Sequence, residues 1–183
     1  MYASETGIQP EGGPIMVHVA QATEHDFPQV HSLFLEYLQW VIPIVEEVWG
    51  FPIGITAAAF ADHEMADIQR FMPPDGRLLL ASDDSGMIGC ACARTIHAGL
   101  AEIKRVYVRP SGRGSGTGRA LIQRILVELR DAGYTSVRLE TGTFMPAAQK
   151  LYRSLGFKDI APYEESETPA DQRQHAIFFE LTL

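Results

Sequence analysis

A short run past the middle of the chain constrains its fold more than any other feature. Residues 106–119 read Val-Tyr-Val-Arg-Pro-Ser-Gly-Arg-Gly-Ser-Gly-Thr-Gly-Arg. A strand is expected to end at Val108 and a helix to open near Gly118, with a glycine-rich turn between them. Such a turn exposes backbone N–H groups with no side chains in the way. A helix N-terminus adds its own unpaired N–H groups and a partial positive charge, and together they suit phosphate oxygens. The run is not a Walker A loop, because it holds no lysine. Gly114-Ser-Gly116-Thr-Gly118 has the wrong spacing for a dinucleotide fingerprint, and Glu140, the acid at about the right distance downstream, reads as strand interior.

The spacing that fits is Arg113-x-x-Gly116-x-Gly118. It resembles the acetyl-CoA signature of the GNAT (GCN5-related) N-acetyltransferase superfamily, Gln/Arg-x-x-Gly-x-Gly/Ala. The likeness extends to both sides. Glu102-Ile-Lys-Arg-Val-Tyr-Val-Arg-Pro110 resembles the family's fourth strand, and Ala148-Gln-Lys-Leu-Tyr152-Arg-Ser-Leu-Gly-Phe157 resembles its Ala-x-x-Leu-Tyr-x-x-x-Gly-Phe element. The match covers roughly residues 101–160.

The resemblance implies an α/β fold of the α+β type. One GNAT domain over 15–183 would hold a mixed, mostly antiparallel sheet of six or seven strands, flanked by about four helices. It also implies a bulged central strand ahead of the coenzyme A loop. Acetyl-CoA is the implied cosubstrate, with no metal, and the implied reaction is direct attack by a primary amine on the thioester. The amides of Arg113, Gly114, Ser115, Gly116, Thr117 and Gly118 would meet the pyrophosphate, with Arg113 or Arg119 adding charge. Val106, Tyr107 and Val108 would run beside the pantetheine and offer main-chain hydrogen bonds. Tyr152 matches the tyrosine that many members point at the thioester sulfur, and a phenol can protonate a leaving thiolate; the alternative is an aromatic that only packs. Glu102 is the first candidate for the base that neutralises the amine, the alternative being a glutamate paired with Lys104 or Arg94. His97 is a second candidate base. Met145 departs from the family, which often has Asn there, so one side-chain contact to the cofactor is missing or replaced.

Composition sets outer bounds. At 183 residues, 46% of them hydrophobic, the chain is long enough for one full core. No apolar run approaches the roughly 20 residues of a membrane span, and the N-terminus lacks the pattern of a signal peptide. Residues 1–14 carry no periodicity and are expected to form a flexible leader. Cys90 and Cys92 stand two apart in a strand-like run, face the same way and cannot easily bridge. They are expected to be reduced, which fits a cytoplasmic protein. A net charge of −8 argues against nucleic acid as a partner. It attracts a cationic acceptor, a small molecule or a protein amine, or it serves only solubility. A homodimer is compatible with the sequence. A non-catalytic acyl-CoA sensor is the alternative to an enzyme.

Along the chain, a first strand is expected at 17–20. A helix follows from Phe27, with Phe27, Val30, Phe34, Leu38 and Val41 at helical spacing, ended or kinked by Pro43. Residues 43–55 read as a connector, 56–71 as a second helix, 78–81 and 87–96 as a hairpin around Asp83–Gly86, and 101–108 as the next strand. In that strand the apolar phase slips near Arg105. A β-bulge does that, and so does a strand buried on both faces. A helix over 117–132, a strand around 137–140, a short helix over 146–155, a polar loop over 158–174 and a last strand from Ile177 complete the chain. Trp40, Glu46, Glu47 and Trp49, with Asp159, Glu164, Glu165 and Glu167, are the residues that carboxylate or aromatic recognition of a cationic amine would draw on.

Overall fold

The computed structural model describes residues 16–183; the expected leader lies outside the described residues. Strand β1 (His18–Gln21) leads into α1 (Phe27–Trp49) and α2 (Ala57–Ala66). The hairpin β2 (Gly76–Asp83) and β3 (Gly86–His97) follows, then β4 (Leu100–Val108), α3 (Thr117–Asp131), β5 (Ser136–Gly142), α4 (Pro146–Ser154), β6 (Lys158–Ile160) and β7 (Ala176–Thr182). The sheet has seven strands in the order β1-β2-β3-β4-β5-β7-β6. Among the described residues only β4 and β5 pair in parallel, and α3 is their crossover. The α/β fold with a mixed, mostly antiparallel sheet is therefore as expected.

Each face of the sheet buries its own core. Leu79, Ala81, Ala93, Ala101, Val137 and Leu139 point toward α3, whose Leu121, Ile122, Ile125 and Leu129 form one stripe. Leu78, Leu80, Cys90 and Cys92 point the other way, against Val30, Leu33, Phe34 and Leu38 of α1. The period of two along β2 thus sends alternate residues to different cores. Both cysteines are free and buried. Burial pushes the Cys90 thiol up to about 12 and Cys92 well above its usual range, so neither is a nucleophile at neutral pH.

Two expectations need correction. Pro43 neither ends α1 nor leaves residues 43–49 as connector: the helix runs on to Trp49. Proline removes one helical N–H and costs about 3 kcal/mol in an interior turn. Here the turns on both sides are anchored. Val41 and Ile42 are buried before it, Val45 packs on the same core after it, and Gly50 at φ 82° closes the end by donating to the Glu46 carbonyl. The stretch 158–174 is not wholly loop either. Lys158–Ile160 forms an edge strand on β7, too short to show alternation in sequence.

The phase slip in β4 is a bulge. Cys90 pairs with Tyr107 while Cys92 pairs with Lys104, so two steps along β3 match three along β4. Arg105 takes the extra place at φ 52°, a conformation costing a non-glycine residue roughly 1–2 kcal/mol. The slip puts Val106 and Val108 against the same core as Ala101 and Ile103. It also frees the end of the strand: β4 pairs with β5 only from Leu100–Glu102 to Ser136–Arg138, and beyond that point the two diverge.

Candidate active site

The divergence of β4 from β5 opens a cavity of about 710 Å³. Its floor is the freed end of β4, including Val106, Tyr107 and Val108, facing Glu140, Thr141 and Gly142 of β5. The glycine-rich turn and the start of α3 close one end, and Leu151 and Tyr152 of α4 one side. The last turns of α1 overhang the other end.

At the turn, the main chain does the work. Gly114 and Gly116 adopt φ 81° and 89°, and Gly116 caps α3. No protein acceptor for the N–H groups of 114–119 is found among the described residues. Such unpaired donors at a helix N-terminus fit the phosphates of a nucleotide-like ligand. Ser115 is turned away from the cavity. Its hydroxyl donates to the Gly112 carbonyl at 2.7 Å and lies 2.7 Å from the Thr117 hydroxyl, which holds the turn in shape. Arg113 reaches back to the Val108 carbonyl at 3.0 Å and stacks over Trp40. Arg119 donates to Ser154 Oγ at 2.7 Å and ties α3 to α4. Both guanidiniums stay on the cavity wall.

Tyr152 is 5% exposed, with its ring against Phe157 and Phe179. No protein partner for its hydroxyl is found among the described residues, and the residue lines the cavity. Burial raises its pKa above the usual phenol range, so the group stays protonated at neutral pH. Tyr37 of α1 sits nearby, also raised, first by burial. Sequence reading missed Tyr37, since it lies 115 residues from Tyr152 and carries no motif of its own.

Glu102 does not fit the expected base. It is fully buried, does not line the cavity, and its carboxylate is taken: Arg94 Nε donates at 2.8 Å, the Tyr163 hydroxyl at 2.9 Å, and Lys104 lies 3.5 Å away. It faces away from Ala101 and Ile103 into a charged cluster. Glu64 of α2, only 3% exposed, holds Arg70 at 2.9 Å and Arg105 at 2.8 Å. Burial works against the Arg105 charge, but Glu64 first, with Tyr37 and Glu167, together outweigh it. Glu167 reaches in from the 161–175 loop to Lys104 at 3.0 Å and Arg105 at 3.5 Å. Burial alone raises the Glu167 carboxyl; Lys104 and Arg105 outweigh it and hold the group at about 2. The cluster pins the strained bulge from behind. His97 is exposed at the far end of β3, hydrogen-bonded to the Ala98 carbonyl and remote from the cavity lining.

The expected acceptor-side residues divide. Trp40 and Trp49 line the cavity. Asp159 pairs with Arg153 at 2.7 Å, Glu165 lies 3.9 Å from Arg138, and Glu46 accepts the Ile53 N–H at 2.9 Å. The carboxylate that does line the cavity is Glu140, with Thr168 and His175 beyond it. Met145 lines it too, with the Thr141 hydroxyl 3.3 Å from its sulfur.

A splayed parallel pair, a bulge and an unpaired helix N-terminus together define the architecture of an acyl-CoA transferase. The comparisons agree. The model of the acetyltransferase (GNAT) family matches residues 37–157. The chain is 36% identical to an IAA acetyltransferase of Azospirillum brasilense over 67% of its length and 80% of that protein. It is 38% identical to an uncharacterized N-acetyltransferase of Schizosaccharomyces pombe over 79% of its length and 83% of that protein. Among solved structures, a GNAT-family acetyltransferase from Staphylococcus aureus superposes with a TM-score of 0.69 at 14% identity, covering 92% of this chain and 99% of that one. The PaiA N-acetyltransferase of Thermoplasma acidophilum, solved with coenzyme A, gives 0.67 at 16% identity, covering 92% and 100%. The chain belongs to the GNAT acetyltransferase family and is an acyltransferase. Among the described residues, no helix is long and apolar enough to cross a membrane.

Proposed function

We propose that the protein transfers an acetyl group from acetyl-CoA to a primary amine by direct attack. The observation that carries this is the meeting, in one cavity, of the unpaired 114–119 amides, the freed backbone of Val106–Val108 and the Tyr152 hydroxyl. The 114–119 amides would hold the pyrophosphate, with Arg113 and Arg119 as flanking cations. The main chain of Val106–Val108 would orient the pantetheine arm along the gap between β4 and β5. The amine nitrogen would attack the acetyl carbon, the new C–N bond would form as the C–S bond breaks, and Tyr152 would protonate the departing thiolate. Both cysteines are buried in the core with raised pKa values, which supports attack without a covalent enzyme intermediate.

The reading is tested by titrating the protein with acetyl-CoA, ATP and NAD in a calorimeter, then assaying thiol release with a panel of amines. Saturable binding of acetyl-CoA alone, followed by amine-dependent thiol release, is expected. Binding without release from any amine would instead leave a non-catalytic acyl-CoA sensor.

A further inference from the structure

The half of the cavity away from the glycine turn has a chemistry of its own. Tyr37, Val41, Val45 and Trp49 recur every fourth residue along α1, a single row down the helix, and all four line the cavity. Phe144 and Met145 face them from the loop before α4. The row exists because α1 continues through Pro43; a helix ending there would leave Val45 and Trp49 outside it. Beside Trp49 the surface stays apolar: Phe51, 45% exposed, packs against it at 5.8 Å.

Charge on this lining is lopsided. Lys104 and Arg105 stand on the wall, with Arg113 and Arg119 farther along, against a single carboxylate, Glu140. The other acids of the region are committed behind the wall, Glu64 and Glu167 to the guanidiniums and Lys104, and Glu102 to Arg94. Lys104 and Arg105 are thus already paired, and a polyamine or a lysine-rich peptide would find one acid left to bind its several charges. Glu140 itself is half-committed. One oxygen accepts the Ser166 hydroxyl, and the other has only Lys104, at 4.0 Å.

Resting on the acetyltransferase reading, we propose that the acceptor is a monoamine with an aromatic or branched apolar body. The body lies along the α1 row, and Glu140 receives the nitrogen and its proton. An alkylamine with a pKa near 10 arrives as an ammonium. Glu140 takes one proton, leaving the lone pair free to attack the acetyl carbon. The C–N bond forms and the C–S bond breaks. The second nitrogen proton passes through water to replace the one Tyr152 gives to sulfur. The products are the amide, the coenzyme A thiol, and the proton that Glu140 releases to solvent. The groups around Glu140 are Lys104 from β4, Tyr37 from α1, Ser166 and Tyr163 from the loop after β6, and, also on the lining, His175 just ahead of the neighbouring strand β7.

The test is thiol release with acetyl-CoA and four amines: 2-phenylethylamine, isopentylamine, spermidine and a lysyl peptide. Each is assayed at pH 7 and pH 10 with the wild type, Glu140→Gln and His175→Asn. The two monoamines are expected to exceed spermidine and the peptide in kcat/KM by at least about tenfold. Glu140→Gln should cost about 100-fold in kcat/KM at pH 7. That deficit should shrink to under about tenfold at pH 10, where much of the amine is already neutral, and calorimetric affinity for acetyl-CoA should hold. Preference for spermidine or the peptide overturns the inference while leaving the acetyltransferase reading intact. So does a Glu140→Gln deficit equal at both pH values, which marks a structural role, or a pH-dependent loss in His175→Asn in its place. Release from none of the amines, despite acetyl-CoA binding, removes the acetyltransferase reading itself.

Discussion

The two ends of the cavity are built from different materials. The end proposed for coenzyme A is made mainly of backbone: the amides of 114–119, the strand edge of Val106–Val108, and two glycines at positive φ. The end proposed for the acceptor is made of side chains brought together from α1, β4, β5 and the loop after β6. A backbone site needs only a local conformation, so a few contiguous residues can specify it. A side-chain site needs tertiary packing, so no contiguous segment contains it. The difference also separates function: one end can stay constant while the other is rebuilt for a new amine.

The sharpest way to break this division is at its seam, Tyr152. Tyr152→Phe removes the hydroxyl proposed as the acid and keeps the ring against Phe157 and Phe179. Turnover should fall about 100-fold with acetyl-CoA affinity unchanged; an unaltered kcat on a working amine would take the acid role away from this residue. Next in size is Gly116→Val. A Cβ there meets open space, so the cost is conformational, a β-branched residue forced to φ 89°. Acetyl-CoA affinity should drop about tenfold, about 1.4 kcal/mol, while the acceptor KM holds. A change in acceptor KM instead would show the two ends to be coupled.

The same division decides what was legible in the sequence. The α3 stripe of Leu121, Ile122, Ile125 and Leu129, the hairpin around Asp83–Gly86 and the phase slip at Arg105 are local patterns, and the structure reproduces them. Pro43 misled because proline is an interior helix breaker unless the neighbouring turns are anchored, and the anchoring of Ile42 and Val45 is tertiary. Glu102 misled for a related reason. Its place on the strand before the motif is correct, but its carboxylate is buried under Arg94, Lys104 and Tyr163, tertiary partners that keep it off the cavity lining. Glu140, by contrast, reads as ordinary strand interior. What sets it apart is that β4 leaves β5 after Glu102–Arg138 and uncovers it, and that departure is set by a bulge in another strand.

Trp49→Ala sharpens the comparison from the acceptor side. The indole belongs to the row on α1 and stands 64 residues before Arg113 in sequence. Removing it should raise the acceptor KM about fivefold and leave acetyl-CoA affinity alone, as steady-state kinetics and calorimetry would read out. A matching loss of acetyl-CoA affinity would mean that the α1 row holds the cofactor and not the amine.

The smallest expected effect concerns the cluster behind the wall. The Glu167 carboxyl titrates at about 2 in the folded protein against an ordinary 4.5. A depressed carboxyl contributes stability that is fully present above its unfolded pKa and is lost as pH falls through the folded value. Glu167 should therefore contribute to acid unfolding between about pH 4.5 and pH 2. Its side chain is 38% exposed, so solvent screens the pairs and the contribution is modest. Glu167→Gln should flatten that limb of the stability curve, measured by urea unfolding at a series of pH values, with little change at pH 2 and below. At pH 7 the variant leaves Lys104 and Arg105 with one carboxylate fewer, while Glu64 still holds Arg105 at 2.8 Å. The bulge should therefore persist, and acetyl-CoA affinity with it. If acetyl-CoA affinity falls as far as it does in Gly116→Val, the backbone end depends on side chains after all, and the two ends of the cavity are not separate constructions.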